Sequence, residues 1–251
     1  MLFKRIYEIV KDNIALYLSK RKLRKYLSKN NINEIINTTK DFIGYGIYDR
    51  ISMSQKFDEI SRLAKLIREK SPKIIMEIGT RKGGTLYTWC RISNPDLVIS
   101  IDLPGGIHGG GYNEKKKKLY REFLSDKPNT QLYLLQLNSH SHDTLNKVLD
   151  ILKGRKIDFL FIDGDHTYEG VRSDFEMYSN LVRQEGIIAF HDIVPNLTNH
   201  EDASTIEVPR FWKEVKMTNE YEEIISKTGN SWMGIGVLKY KNHNSSFTID
   251  S

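Results

Sequence analysis

Ile75-Met76-Glu77-Ile78-Gly79-Thr80-Arg81-Lys82-Gly83-Gly84-Thr85 reads as a buried strand, a glycine turn and the start of a helix. Glycine lets a backbone turn sharply and approach a ligand or another chain segment closely. The spacing is Gly, three residues, Gly-Gly. That is not the G-x-G-x-x-G of a dinucleotide site, where a helix amino end faces a pyrophosphate. The acid two places before the first glycine suits a cationic or amine-bearing ligand better than a phosphate.

Outward from that turn the chain alternates strand and helix. Apolar runs at 73–78, 97–101, 131–135, 157–162 and 186–190 read as strands. Helical patterns at about 84–91, 114–124, 143–152 and 168–181 separate them. A loop to 204, a helix near 209–215 and strands at 222–226 and 232–240 follow, the last two as an antiparallel hairpin at one edge. Repeated strand–helix units predict an open sheet covered on both faces. Right-handed crossovers make it a Rossmann-like, doubly wound α/β fold with a mostly parallel, seven-stranded sheet.

Ahead of this unit, residues 2 to about 28 carry a helical pattern with Phe3, Ile6, Tyr7, Val10, Ile14 and Tyr17 at mostly three- and four-residue steps. A second amphipathic helix is expected over about 54–70, stopped by Pro72. The first 70 residues hold 16 Lys and Arg against 8 Asp and Glu, a net +8, whereas the whole chain of 251 residues is only +6. The basicity therefore belongs to the front, which argues against a nucleic-acid-binding core. We divide the chain into a basic helical extension at 1–52 and an α/β domain at 53–251. A single cysteine, Cys90, excludes an internal disulfide, and no apolar run approaches the roughly 18–20 residues of a membrane span. A cytoplasmic location is the simplest expectation.

Ligands of open parallel sheets bind at the carboxyl ends of strands. Two expected strand ends carry acids and imidazoles: Phe161-Ile162-Asp163-Gly164-Asp165-His166 and Phe190-His191-Asp192. Such a pair of ends points to a cation, a base, or both. Asp102 ends the second strand, where a carboxylate can accept hydrogen bonds from a ribose diol. Structural roles compete at each position: Asp163 or Asp165 as a helix cap, His191 as a satisfied strand-end histidine. His108 sits in the glycine-rich loop at 104–112, as a lid residue or in a plain connector.

Glu77-Ile78-Gly79 with Gly83-Gly84-Thr85, followed by Asp102, resembles the S-adenosylmethionine site of class I methyltransferases. Asp158 to Val171 and Gly186 to Ile193 sharpen the likeness, as do Ile101 to Gly106 and Val208 to Trp212. These segments resemble small-molecule and sugar O-methyltransferases related to macrocin O-methyltransferase and to cephalosporin hydroxylase-like proteins. The likeness spans about 53–240.

The resemblance implies that Glu77, Thr80, Thr85 and the backbone of Gly79, Gly83 and Gly84 hold the methionine part of S-adenosylmethionine. It implies Asp102 at the ribose and Asn138, Ser139 and His140 near the adenine. By likeness to catechol-type O-methyltransferases, Asp163, His191 and Asp192 hold a divalent metal, magnesium or manganese, and His166 acts as the base. A histidine among the ligands favours manganese, iron or zinc over magnesium, unless His191 only orients a ligand from behind. The implied acceptor is a small molecule or glycan, and nucleic acid is not expected. The basic front helix also admits peripheral contact with an anionic membrane, and a homo-oligomer is a further expectation. A nicotinamide-dependent oxidoreductase and a non-catalytic nucleic-acid- or membrane-binding module stand as alternative readings.

Overall fold

The computed structural model describes residues 2–105, 111–195, 206–227 and 232–241. His108, with most of its glycine-rich loop, and the stretch 196–205 lie outside the described residues. The strands are β1 (Ile74–Ile78), β2 (Leu97–Ile101), β3 (Gln131–Leu135), β4 (Ile157–Ile162), β5 (Val182–Val194), β6 (Glu220–Ile224) and β7 (Met233–Lys239). They form one sheet in the order β3-β2-β1-β4-β5-β7-β6. Strand β7 runs antiparallel to both β5 and β6, and the other pairs are parallel. The expected Rossmann-like α/β fold is therefore present, with the closing hairpin at one edge.

Helices α1 (Leu2–Arg24), α2 (Ile32–Asp41) and α3 (Phe57–Lys70) precede the sheet. Helices α4 (Gly84–Ile92), α5 (Glu114–Tyr120), α6 (His142–Leu152), α7 (Tyr168–Tyr178) and α8 (Val208–Val215) follow in the crossovers and before the hairpin. The period of 3.6 is plain in α3, which buries Ile60, Leu63, Ala64 and Ile67. It ends where Ser71 turns left-handed (φ 48°) and donates its N–H to Ile67, just ahead of Pro72. The helix begins three residues later than its sequence pattern suggests, because Lys56 is still extended.

Strands β1 and β2 are buried along their whole length. Both faces are covered, so their sequences are continuous apolar runs rather than alternating ones. One face packs Ile75, Val98, Phe159 and Phe161 against Trp89 of α4 and the helices before the sheet. The other packs Met76, Ile78, Leu160 and Phe190 against Val148, Val171 and Trp212. Strand β5 is longer than its apolar run because Val182 and the polar Arg183-Gln184-Glu185 belong to it and pairing with β7 carries it past Phe190. Strand β6 starts two residues earlier than expected, set by its register of Glu220 opposite Lys239.

The front of the chain shares the core. Leu23, Leu27, Ile35, Ile36, Phe42, Tyr48 and Ile51 join the same apolar cluster as Leu86, Tyr87 and Trp89. Burial of each such side chain contributes about 1.5–3 kcal/mol. Polar ties reinforce the join. Arg91, almost buried, donates to the carbonyls of Leu27 and Phe123 and pairs with Asp126 at 2.6 Å. Arg24 bonds the buried Glu122 at 2.5 Å. The amino-terminal half of α1 stands apart: Phe3, Tyr7, Val10, Ile14 and Tyr17 are all exposed. No helix among the described residues is long and apolar enough to cross a membrane.

Because Ile35 is fully buried in the sheet's own cluster, Ile35→Ala is expected to cost about 2–5 kcal/mol. Urea unfolding should show one transition with a lowered midpoint and an unchanged slope. A separate early transition would instead mark residues 1–52 as an independent unit.

Candidate active site

Strand β4 delivers Asp163 at its carboxyl end, with its N–H donated to the Ile78 carbonyl at 2.9 Å. Gly79, at φ +90°, lies against that same segment, and a Cβ there would overlap the Asp163 carbonyl. The glycine turn and Asp163 are thus held at backbone contact. Downstream, Asp165 accepts from the Thr167 N–H (2.9 Å) and hydroxyl (2.8 Å), and Thr167 caps α7 through Gly170. Asp165 braces the loop, which leaves Asp163 uninvolved in capping.

On the neighbouring strand, β5 loses regular pairing with β7 between His191 and Val194. Asp192 there has φ +60°, a left-handed conformation that Asp tolerates better than most residues. Irregularities of this kind re-aim side chains beside active sites. The result is a compact cluster. His191 Nδ1 lies 3.2 Å from both Asp163 Oδ1 and Asp192 Oδ2. His166 places Nε2 3.3 Å from Asp163 Oδ1 and Nδ1 3.3 Å from Asp192 Oδ2. Ligand atoms of Asp163, His191 and Asp192 all lie within 4.8 Å of one another.

The electrostatics follow from burial and pairing. Burial alone would raise the Asp163 carboxyl, but His191 and His166 overcome it and hold Asp163 well below the usual carboxylate range. Burial alone would lower both imidazoles. The carboxylates reverse this, raising His166 and moving His191 well above its ordinary value. Two buried carboxylates are thus balanced by imidazole N–H groups. His191 Nε2 is buried without a hydrogen-bond partner.

The remaining sequence candidates sit close by, in varied roles. Asp102, nearly buried, accepts from the Arg81 N–H at 2.6 Å, and burial pushes its carboxyl up to about 6. Thr80 donates to Glu77 Oε2 at 2.7 Å and contacts Ser100 at 2.6 Å. Gly83 donates its N–H to Thr80, while Gly84 and Ser52 bond backbone to backbone at 3.0 Å. Thr85 is buried in the first turn of α4. Asn138 accepts from the His140 N–H, Ser139 accepts from the Tyr178 hydroxyl, and His140 Nε2 lies 3.2 Å from buried Asp174.

Glu77 sits in β1, two residues before Gly79. It is fully buried on the α4 side of β1, with Oε1 accepting from the Trp89 indole at 2.9 Å and Oε2 from Thr80. The parity of the strand turns it inward, where burial pushes its carboxyl up to about 8. Sequence reasoning also missed Gln55, whose Nε2 donates to Asp163 Oδ2 at 2.6 Å, and Asp174, the partner of His140. Gln55 lies in a polar stretch with no periodic signal, and only the fold brings it to Asp163.

A family model described as a methyltransferase domain matches residues 76–193, just under half of the chain and the stretch that holds the cluster. Residues 76–193 are therefore similar to a methyltransferase domain. The chain is 36% identical over 125 residues to an uncharacterised protein of Acanthamoeba polyphaga mimivirus. That match takes in 49% of this chain and 53% of the viral protein, so the chain spans about half the length of that relative. A second curated relative, an uncharacterised protein of Sinorhizobium fredii, is 26% identical over 132 residues, 51% of this chain and 14% of its own length. The solved O-methyltransferase TomG from Streptomyces achromogenes, in complex with SAM, is 15% identical with a TM-score of 0.53. It covers 85% of this chain and 91% of its own. At that identity the likeness shows the fold alone.

Glu77 generates a prediction about stability. Its folded value of about 8 lies above the ordinary 4.5. Between those values the folded protein keeps a proton that the unfolded chain releases, so stability falls as pH rises through that window. Glu77→Gln should remove this component, improving relative to the parent by up to about 1.4 kcal/mol per pH unit between about pH 5 and pH 8. Paired urea titrations across that range check it, and parallel pH profiles would refute it.

Proposed function

We propose that the chain is an O-methyltransferase that moves a methyl group from S-adenosylmethionine to a hydroxyl of a sugar, glycan precursor or other small polar metabolite. In this reading Asp163, His191 and Asp192 hold a divalent cation. The observation that carries it is the meeting of those three side chains at the carboxyl ends of β4 and β5, one backbone contact away from the glycine turn. The cluster suits a cation. Its carboxylates are satisfied by protons on imidazoles, which a metal can displace. The unpartnered His191 Nε2 is a further mark of a site organised around a guest. A set of two oxygens and one nitrogen favours manganese or a similar borderline ion over magnesium.

S-adenosylmethionine, when bound, supplies an electrophilic methyl on a sulfonium sulfur, and a divalent cation supplies charge that favours alkoxide over alcohol. The chain's own residues supply placement and proton handling. Gln55 occupies Asp163 Oδ2, which leaves Oδ1 turned toward the imidazoles. Asp102 holds the glycine turn through Arg81, fixing the floor of the cofactor crevice. His166, the more exposed imidazole of the pair, takes the hydroxyl proton on a ring nitrogen. Attack by that oxygen on the methyl carbon of bound S-adenosylmethionine would form the oxygen–carbon bond and break the carbon–sulfur bond, with S-adenosylhomocysteine as the leaving group.

Calorimetry with S-adenosylhomocysteine should give one saturable site. His166→Ala should lower kcat about 10²–10⁴-fold with that affinity unchanged. Binding of NAD with no binding of S-adenosylhomocysteine would transfer the chain to the oxidoreductases.

Manganese affinity should rise with pH and keep rising above the ordinary imidazole value of 6.5, because binding must displace protons from imidazoles whose values are raised. Titration in two buffers of different ionisation enthalpy should register proton release. Asp192→Asn should weaken manganese binding; an unchanged isotherm would remove Asp192 from the site.

A further inference from the structure

A cavity of about 270 Å³ opens beside the cluster, between the front of the chain and the start of α3. Thr39 and Lys40 of α2, Arg50, Ser52, Gln55 and Phe57 supply the part of its wall that bears on ligand choice. The volume lies at the small end of the roughly 300–1,000 Å³ usual for small-molecule sites. That suits one sugar ring or a metabolite of similar size, not a length of polymer.

The wall has one sign of charge. It contains two cationic residues and no acidic one. Lys40 reaches over the Phe57 ring, 5.1 Å from its centroid, and neither Lys40 nor Arg50 forms an ion pair among the described residues. By contrast, Arg24 pairs with Glu122, Arg91 with Asp126 and Lys115 with Asp12.

Gln55 joins this cavity to the chemistry. Its amide nitrogen is committed to Asp163, while its Oε1 is buried and has no hydrogen-bond partner. An acceptor atom left that way calls for a donor, and a hydroxyl group is one. Ser52, on the same wall, bonds the glycine turn at Gly84. Two of the cavity's lining residues thus reach beyond it, Ser52 to the glycine turn and Gln55 to Asp163 of the cluster.

We infer that this cavity is the acceptor subsite and that the acceptor is a hydroxylated small molecule carrying an anionic group, phosphate or carboxylate, held between Lys40 and Arg50, with one hydroxyl donating to Gln55 Oε1. The inference rests on the methyl-transfer reading and narrows its substrate class. Charge-assisted contacts to two cations hold the anion more strongly than neutral hydroxyls could be held at the same place.

The test titrates the full chain, saturated with S-adenosylhomocysteine, with glucose 6-phosphate, glucuronate and glucose. At least one charged sugar should bind about tenfold or more tightly than glucose. Arg50→Gln and Lys40→Gln should each lower that affinity about tenfold, and Arg50→Lys should restore part of it, with S-adenosylhomocysteine affinity unchanged throughout. Binding of the phosphorylated sugar alone identifies a phosphate acceptor, and of glucuronate alone a carboxylate acceptor. Equal binding of glucose, indifference of the charged sugars to both glutamine variants, or no sugar binding at millimolar concentration would each overturn the subsite while leaving methyl transfer standing. Failure of S-adenosylhomocysteine itself to bind would instead bring down the methyl-transfer reading, and this inference with it.

Discussion

The contact between Gly79 and the backbone of Asp163 sets the geometry of the whole site. A side chain at position 79 would overlap the Asp163 carbonyl, and the turn needs φ +90° besides. Only glycine meets both demands. That contact locks the end of β1 to the end of β4, which aligns the glycine turn with the Asp163 carboxylate. Ladder bonds extend the lock sideways, with Gly79 donating to Ile101 and Asp102 to Leu135. Four strand ends are thereby fixed before any side chain contributes.

Charge then decides what such a rigid frame can hold. Two buried carboxylates facing each other are unstable unless positive charge lies between them. The chain provides it with His191 from β5 and His166 from the loop after β4. Protons and a metal ion are alternative occupants of the same electrostatic need. The left-handed Asp192 belongs to this arrangement: without the break in β5 pairing its carboxylate would follow the strand's alternation.

Much of the fold was legible because buried parallel strands are written as dense apolar runs separated by helix-length intervals. The carboxyl ends of those runs were legible for the same reason, and Asp163, His166, His191 and Asp192 do converge. Where apolar patterning carries no information, the reading stops. Every residue of β1 is buried, so nothing in its sequence says which face Glu77 takes. Gln55 and Asp174 act across 108 and 34 positions of chain respectively, and no local rule spans such distances. The charge shift near residue 52 suggested an extension, yet Ile35, Phe42 and Ile51 lie in the sheet's own core.

The segment from Ser52 to Gln55 is a short strap across the top of the sheet. It pairs with the glycine turn, walls the cavity and lends an amide to Asp163. The cavity wall and the charged cluster therefore share one stretch of backbone and cannot drift apart in evolution. A lineage that reshapes the cavity by replacing Gln55 must find Asp163 a new donor in the same step, which makes this four-residue strap a constraint on its diversification.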